Sequence, residues 1–572
     1  MFVMGHWGTV IVIASLLGAG KIGDGAEKRD GHVTSDWEKA AAWIVGAAEV
    51  EELSEEVMER FARLHERPLD INAAPRGRLM SCGLMNAFQV ESILEYRAST
   101  GDILSFTELG LVPGFSKEQA EAMRPFVVLK SDRAPGQTER RRRLEQSLTV
   151  RGAFRRDDAA GFSAGMKYAA QWGERAEFRW STRNSYDDGT IRLGTMSAAV
   201  YGRRALGKVV LGNFNARFGQ GLAQWSGFSL SGYPTVASFR KSGTGLSPTG
   251  SYSSDLRGIG SDWRWGRLTF SAAASLGAKN VSGIGNVSWT GRRATFGVTS
   301  VWRPSKKETT LSGDWRVGFR NVSLFGEVAS KGAGGGFGGV TGAIWTPEYG
   351  KKVAVQGRYF SPSFKKDWCG MAAGFENRWL VATADAAWHN VREVQQYKVI
   401  AQVRKEFAVD ALSVRPSVRV NARWRQEEGE PWRVDVRGDA AASYGSWQFA
   451  ARYNALWCNQ FAWLWYAELG WTGGVGSAPD GADLYDGRSV SVYARFTLFC
   501  VDNWDDRIYV YERDAPGAFN VPAYYGRGYA FSIAAALKRR HRTTHLRASW
   551  ISYPWNLSEK SGRFELKAQI QL

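Results

Sequence analysis

The chain runs to 572 residues and carries a formal net charge of +18, from 74 Lys plus Arg against 56 Asp plus Glu. A mean hydropathy of −0.31 excludes a helical membrane protein, and after residue 20 no run approaches the ~20 apolar residues that a spanning helix needs. Aromatics reach 13%, with 25 Trp, and Gly numbers 65, a balance suited to a β protein with interfacial aromatic girdles and many tight turns.

Thr9 to Gly20 is apolar and ends in small residues, the pattern of a secretory signal, although only His6 stands where a Lys or Arg is usual. Residues 1–26 are read as that signal, with cleavage after Ala19 or Ala26. No Cys follows the apolar stretch, so a lipoprotein anchor is not expected.

Residues 36–130 show helical spacing and no β alternation. Leu53, Val57, Phe61 and Leu64 recur on one face, as do Val90, Ile93, Leu94 and Arg97. Ser105–Glu108 and Ser116–Gln119 read as capping boxes, Pro75 suits a first helical turn, and Pro113-Gly114 supplies a turn between helices. A compact all-α module follows. Residues 131–146, with Pro135, Gly136 and the run Arg140 to Arg143, read as a basic linker, either a solvated joint near anionic headgroups or a nucleic-acid clamp.

From 147 to 572 short segments alternate apolar and polar residues at period 2. Leu268, Phe270, Ala272, Ala274 and Leu276 alternate with Thr269, Ser271 and Ser275; Val418, Val420, Ala422 and Trp424 alternate with Arg419, Asn421, Arg423 and Arg425; Val434 and Val436 alternate with Arg433, Asp435 and Arg437. The chain ends on such a segment, with Phe564, Leu566, Ala568, Ile570 and Leu572 on one face and Glu565, Lys567, Gln569 and Gln571 on the other. About two dozen segments of ~10 residues predict a large antiparallel transmembrane β-barrel of about 24 strands, a membrane all-β fold preceded by a small all-α domain.

Loop lengths give orientation. Tight joints near Gly173, Leu206, Gly266, Gly291, Asn321 and Gly445 alternate with longer polar connections such as 155–161, 303–308 and 425–431. Short turns face the periplasm in such barrels, and the helical module joins on that side, so it is expected in the periplasm. The longest connection, roughly 219–253, lies on the outer side or folds into the lumen.

The non-lipid face carries Arg419, Arg423, Arg425, Arg433 and Arg437. Two arrangements fit. Either these residues make a positive lumen that selects anionic solutes or polymers, or they form cross-strand ion pairs with Asp435, Asp439 and Glu427. Asp505, Asp506, Arg507 and Glu512 form a charged patch that fits an Asp–Arg network better than a cation site. Cys82, Cys369, Cys458 and Cys500 share no metal-ligand spacing and are expected as free thiols, with a disulfide between barrel cysteines left open. No nucleophile–base spacing or nucleotide-binding loop stands out, so no catalytic residue, metal or cofactor is expected and the chain is not read as an enzyme.

Leu69–Ala74, Gln89–Arg97, Val112–Ala120 and Arg124–Val127 resemble a tandem helix-hairpin-helix domain of the competence DNA-receptor type, over roughly residues 65–130. The resemblance implies a nucleic-acid contact at Gly114, Phe115, Ser116, Lys117 and Arg124, since hairpin backbone N–H groups grip phosphate in that family. The sequence departs from the Gly-x-Gly pattern: Leu84-Met85-Asn86-Ala87 lacks both glycines, and Ser116 replaces the second glycine of the other hairpin. With Val210–Leu222, Asp505–Glu512 and Val521–Gly528, the chain is similar to the helix-hairpin-helix outer-membrane barrel proteins of Bacteroidota. That likeness implies an outer-membrane location. The expected partners are outer-membrane lipid and lipopolysaccharide, DNA or another anionic polymer, and, on the alternative reading as a scaffold or assembly factor, a periplasmic protein.

Overall fold

The computed structural model describes residues 37–131, 144–157, 160–186, 188–202, 204–251, 256–277, 280–332, 334–347, 350–364, 368–392, 394–426, 431–474, 488–539, 542–556 and 562–572. The expected signal at 1–26, the basic run Arg140 to Arg143 and Glu427 lie outside the described residues.

Twenty-four antiparallel strands close a barrel, each hydrogen-bonded to its neighbours in sequence. The first, Leu144–Arg156, meets the last, Arg563–Gln571, with Val150 opposite Ile570. Leu148 and Leu572 exchange backbone bonds of 3.0 and 2.9 Å, so pairing continues through the final residue. Closure leaves no sheet edge, which matters where no water can satisfy one.

Alternation behaves as the sequence reading expected. In Leu268–Gly277, Thr269, Ser271 and Ser275 are buried, while Phe270 and Leu276 are 38% and 72% exposed. Val298, Leu311, Val328 and Val355 are exposed likewise, each about half open. A water-soluble sheet would bury the other set. Polar residues inside and large apolar ones outside describe a wall built for hydrocarbon. Trp172 and Trp265 sit beside short turns, and Trp302 and Trp457 at the opposite strand ends, as two aromatic belts require. The loop asymmetry is incomplete. At the end opposite the tight turns, Trp457 and Phe461 are joined by only three residues.

Six α-helices precede the barrel among the described residues: α1 (Trp37–Val45), α2 (Glu55–Glu66), α3 (Arg76–Ser81), α4 (Ala87–Ser99), α5 (Phe106–Leu111) and α6 (Lys117–Met123). Their core holds the spaced residues of the sequence reading, with Leu53, Val57, Phe61, Leu64, Val90 and Ile93 buried. Asn86 and Gln89 form a full capping box at α4. Ser105 and Ser116 cap α5 and α6 by accepting from Glu108 N and Gln119 N. A short parallel bridge, Leu69–Asp70 with Val127–Val128, ties the ends of the module together.

The helical module, expected on the periplasmic side, makes its contacts with the inner wall of the barrel. Acidic side chains of the helical segment are paired with cations around the inner wall. Glu49 meets Arg437 at 2.8 Å, Glu52 meets Arg419 at 2.5 Å, Glu56 meets Arg217 at 2.6 Å and Glu59 meets Lys167 at 2.9 Å. In return Arg78 reaches Glu174 and Glu177 on the wall, both at 3.2 Å. Gly77 lies so close to the turn before Leu206–Arg217 that a Cβ there would stand 2.5 Å from the Gly207 carbonyl. The module is therefore seated in the barrel from its short-turn end. The physical reason is charge: a cationic inner wall and an acidic segment attract where water is scarce.

Two of the longest connections also fold inward. Between Phe218 and Leu256, a 3₁₀ turn at Val236–Phe239 buries Phe239, and Phe228 and Leu230 pack on the helical core. Between Asp502 and Tyr525, Tyr511 and Phe519 reach the same core, and the Tyr511 hydroxyl donates to Glu38 at 2.8 Å. The helical module and these two loops share the lumen.

Candidate functional site

The basic face read from sequence has separate fates along its length. Arg419 and Arg437 are engaged by Glu52 and Glu49, and Arg437 also by Asp439 at 3.0 Å. Arg433 donates to the carbonyls of Asp505 and Arg507, fixing the second inward loop. Asp435 accepts from Asn454 rather than closing a pair with an arginine. Among the described residues the expected cross-strand pairing is kept at Asp439, and the helical insert supplies the counter-charge to Arg419 and part of that to Arg437.

Arg423 and Arg425 have a different setting. They line a cavity of about 1530 Å³ between the insert, the first inward loop and the wall formed by strands from Ala294 to Arg425. Its lining runs from Arg293, Arg320 and Arg404 at the short-turn end to Trp368 and Arg425 at the opposite strand ends. Fourteen lining residues are Arg or Lys and two are acidic. Each carboxylate already has a partner: Asp385 takes a two-pronged contact from Arg358 at 2.8 and 3.0 Å, and Glu376 lies 4.0 Å from Arg404. Burial pushes Arg60 and Arg240 down to about 10, so both stay charged at neutral pH. This crevice is strongly cationic.

Both helical hairpins open onto it. Leu84, Met85, Asn86 and Phe88 come from the first, and Gly114, Phe115 and Ser116 from the second. Left-handed glycines precede both caps: Gly83, one residue upstream of the segment read from sequence, has φ +77 three residues before Asn86, and Gly114 has φ +89 two residues before Ser116. Gln89 joins the two, donating to Gly114 O at 2.7 Å and to Gln119 Oε1 at 2.8 Å. Lys117 and Arg124 do not line the cavity. Arg124 is held by Glu121 at 2.9 Å and lies over the Phe106 ring. The Ser116 hydroxyl oxygen accepts from Gln119 N as its own helix cap. The barrel, not the hairpins, supplies the positive charge at this site.

Other expected features resolve structurally. The Asp505–Glu512 patch is a network: Asp506 accepts from Asn459 N and Gln460 N, and Glu512 pairs with Arg547. All four cysteines are free thiols. Among the described residues no His, Cys, Asp and Glu group is arranged to hold a metal ion.

Sequence reasoning missed Arg240, Arg316 and Lys398. For Arg316 and Lys398 the signal existed, since each occupies the inward phase of an alternating strand. For Arg240 no local signal exists, because its place depends on a long loop turning inward.

No family model and no curated protein matches the sequence. Solved structures with a similar fold include the P pilus usher (PapC) translocation pore, at 10% identity, TM-score 0.37, covering 74% of this chain and 98% of that one. OccAB3 of Acinetobacter baumannii follows at 9%, TM-score 0.29, covering 75% and 99%. OprD of Pseudomonas aeruginosa stands at 10%, TM-score 0.30, covering 75% and 94%. Similarity at this level carries no information about cargo or mechanism.

Proposed function

We propose that this chain is an outer-membrane barrel that handles an anionic polymer along the cationic crevice beside its helical insert, a single-stranded nucleic acid being the sharpest version. The observation that carries the reading is the cavity lining of fourteen cations and two acids, bordered by both hairpins. Counter-ion release from a phosphate chain drives binding to such a surface without sequence preference. The crevice lies beside a filled part of the lumen, so a flexible single strand suits it better than a duplex. An outer-membrane setting is supported by the closed wall and its apolar exterior. The helix-hairpin-helix resemblance supports a nucleic-acid partner, while the eroded second glycine and the absence of Lys117 and Arg124 from the cavity lining weigh against a grip made by the hairpins alone.

The test uses the full-length protein in detergent and a fluorescent 20-mer oligothymidylate. Salt-dependent binding that weakens in an Arg423→Gln/Arg425→Gln variant is expected; no salt-dependent binding by the intact protein removes the reading. A second reading, a scaffold that docks a periplasmic protein, draws on Leu104 and Leu111, which are 61% and 80% exposed on the helical module. Leu104→Ser/Leu111→Ser should then abolish any partner recovered by crosslinking in cells, and unchanged recovery argues against it.

A further inference from the structure

Two guanidinium groups near the short-turn end of the crevice have no carboxylate in ion-pair contact among the described residues. Arg240, from the first inward loop, donates to the Ser323 hydroxyl at 3.0 Å. Arg316, from the wall strand Glu308–Phe319, donates to Asn86 Oδ1 at 2.8 Å and lies over the Phe88 ring at 5.2 Å. Both line the same cavity, and Ser323, which Arg240 reaches, pairs with Gly318, two residues along the strand from Arg316. The neighbouring cations differ. Arg217 has Glu56 at 2.6 Å, and Arg358 has Asp385 at 2.8 Å. Of the wall carboxylates nearby, Glu327 is taken by the backbone N–H groups of Gln220, Leu222 and Ala223, which anchors the loop that delivers Arg240, and Asp314, two residues before Arg316 on the same face, forms no ion pair with either arginine among the described residues.

Two like charges held together, part-buried and facing open volume, cost free energy unless a third charge bridges them. The surrounding donors fit such a bridge. Guanidinium forks match the oxygens of a tetrahedral oxyanion. Thr295 adds a hydroxyl to the same cavity wall, and Asn86 begins the thirteen-residue helix α4, whose N-terminal end is positive.

We infer that Arg240 and Arg316, with Asn86 and Thr295 beside them, form a seat for a phosphate-type oxyanion within the crevice. The inference deepens the anionic-polymer reading but does not require it, since inorganic phosphate and one phosphodiester of a longer chain offer the same oxygens. Seating an anion here would also pin the inward loop around Arg240 against the first hairpin, because Arg240 belongs to one and Asn86 to the other.

The experiment titrates inorganic phosphate, and separately a 20-mer oligothymidylate, into the full-length protein in detergent. Binding and melting temperature are read for the natural protein, Arg240→Gln, Arg316→Gln and the double variant, with Arg124→Gln as a control outside the cavity. Phosphate should raise the melting temperature of the natural protein and of Arg124→Gln. Each single variant should weaken phosphate binding about tenfold, and the double variant should lose the phosphate-dependent rise. Arg240→Gln alone carries the test if variants of the wall residue fail to assemble. Equal phosphate response in all variants, or none in the natural protein, overturns the seat. Phosphate binding without oligonucleotide binding supports the seat and rejects the polymer reading. Oligonucleotide binding unaltered in the double variant rejects the seat and leaves the polymer reading standing.

Discussion

Arg452 of the barrel wall donates to Glu51 of the helical insert at 2.5 Å, and the same arginine reaches Asp439 of the neighbouring strand at 2.5 Å. One side chain thus ties wall to wall and wall to insert. Glu51 also accepts from Tyr511 N, so the second inward loop is held by the same carboxylate. The insert, the loop and the wall share one polar junction.

That junction predicts a strong coupling. Arg452→Gln leaves Glu51 in the lumen with a weakened set of partners, and removing one member of a buried pair costs about 3–5 kcal/mol. The lower end is expected, because Arg437 also stands near Glu51. Glu51→Gln should cost less, since Arg452 keeps Asp439. A double-mutant cycle by denaturant unfolding in detergent should give a coupling between the two sites of about 1–3 kcal/mol. Additive effects would mean that insert and wall unfold independently.

The acidic segment also predicts a conductance change. With Glu49, Glu51 and Glu52 all changed to Gln, the insert loses its pairs with Arg437, Arg452 and Arg419. Planar-bilayer recordings should show a small conductance for the natural protein and a several-fold larger or noisier one for the triple variant. An identical trace would place the attachment of the insert elsewhere.

Acid should loosen the insert before it unfolds the barrel. Burial alone would raise the carboxyls of Glu51, Glu56 and Glu59, but Arg452 with Arg437, Arg217 with Arg60, and Lys167 with Arg63, together with the hydrogen bonds each carboxylate accepts, outweigh it and hold all three below the ordinary 4.5. A depressed carboxyl contributes stability that is fully present above its unfolded value and lost as pH falls through the folded one. The insert should stay in place from pH 7 to about 5 and loosen progressively below 4.5. His65 acts in the same direction but earlier, since burial lowers its pKa from 6.5 and its small contribution begins to fall as pH drops below that value, ahead of the larger carboxylate loss. Limited proteolysis between pH 7 and 3 should cut residues 37–131 first, while the barrel stays resistant. Simultaneous loss of both would contradict this.

The outer face gives a test of the membrane setting. Val298 is 53% exposed in the middle of the strand Ala294–Arg303. Val298→Arg should cost about 2–4 kcal/mol when lipid bounds it. On a water-washed surface the same change would stay within about 0.5 kcal/mol. Equilibrium unfolding in lipid vesicles separates the two.

The helical core and the strand phases were legible because both rest on local periodicity. Val57, Phe61 and Leu64 recur at helical spacing and are buried; Phe270 and Leu276 alternate with Thr269 and Ser271 and take opposite faces. The candidate site was half legible. Arg423 and Arg425 were picked out by phase and do line the crevice, but Arg419 and Arg437, in the same phase, do not. Phase says which face a residue takes and nothing about what arrives opposite it.

What the sequence determined by itself was a barrel wall: the period of two, the terminal strand from Arg563, the turn residues and the inward arginines all follow from local chemistry. Only the tertiary structure decided what fills it. Glu51 and Arg452 are separated by 401 residues, and no local pattern tells a carboxylate which distant cation it will meet. The lumen is a shared volume in which helices and inward loops compete for the same positive charge. Where they leave two arginines unanswered depends on the whole assembly.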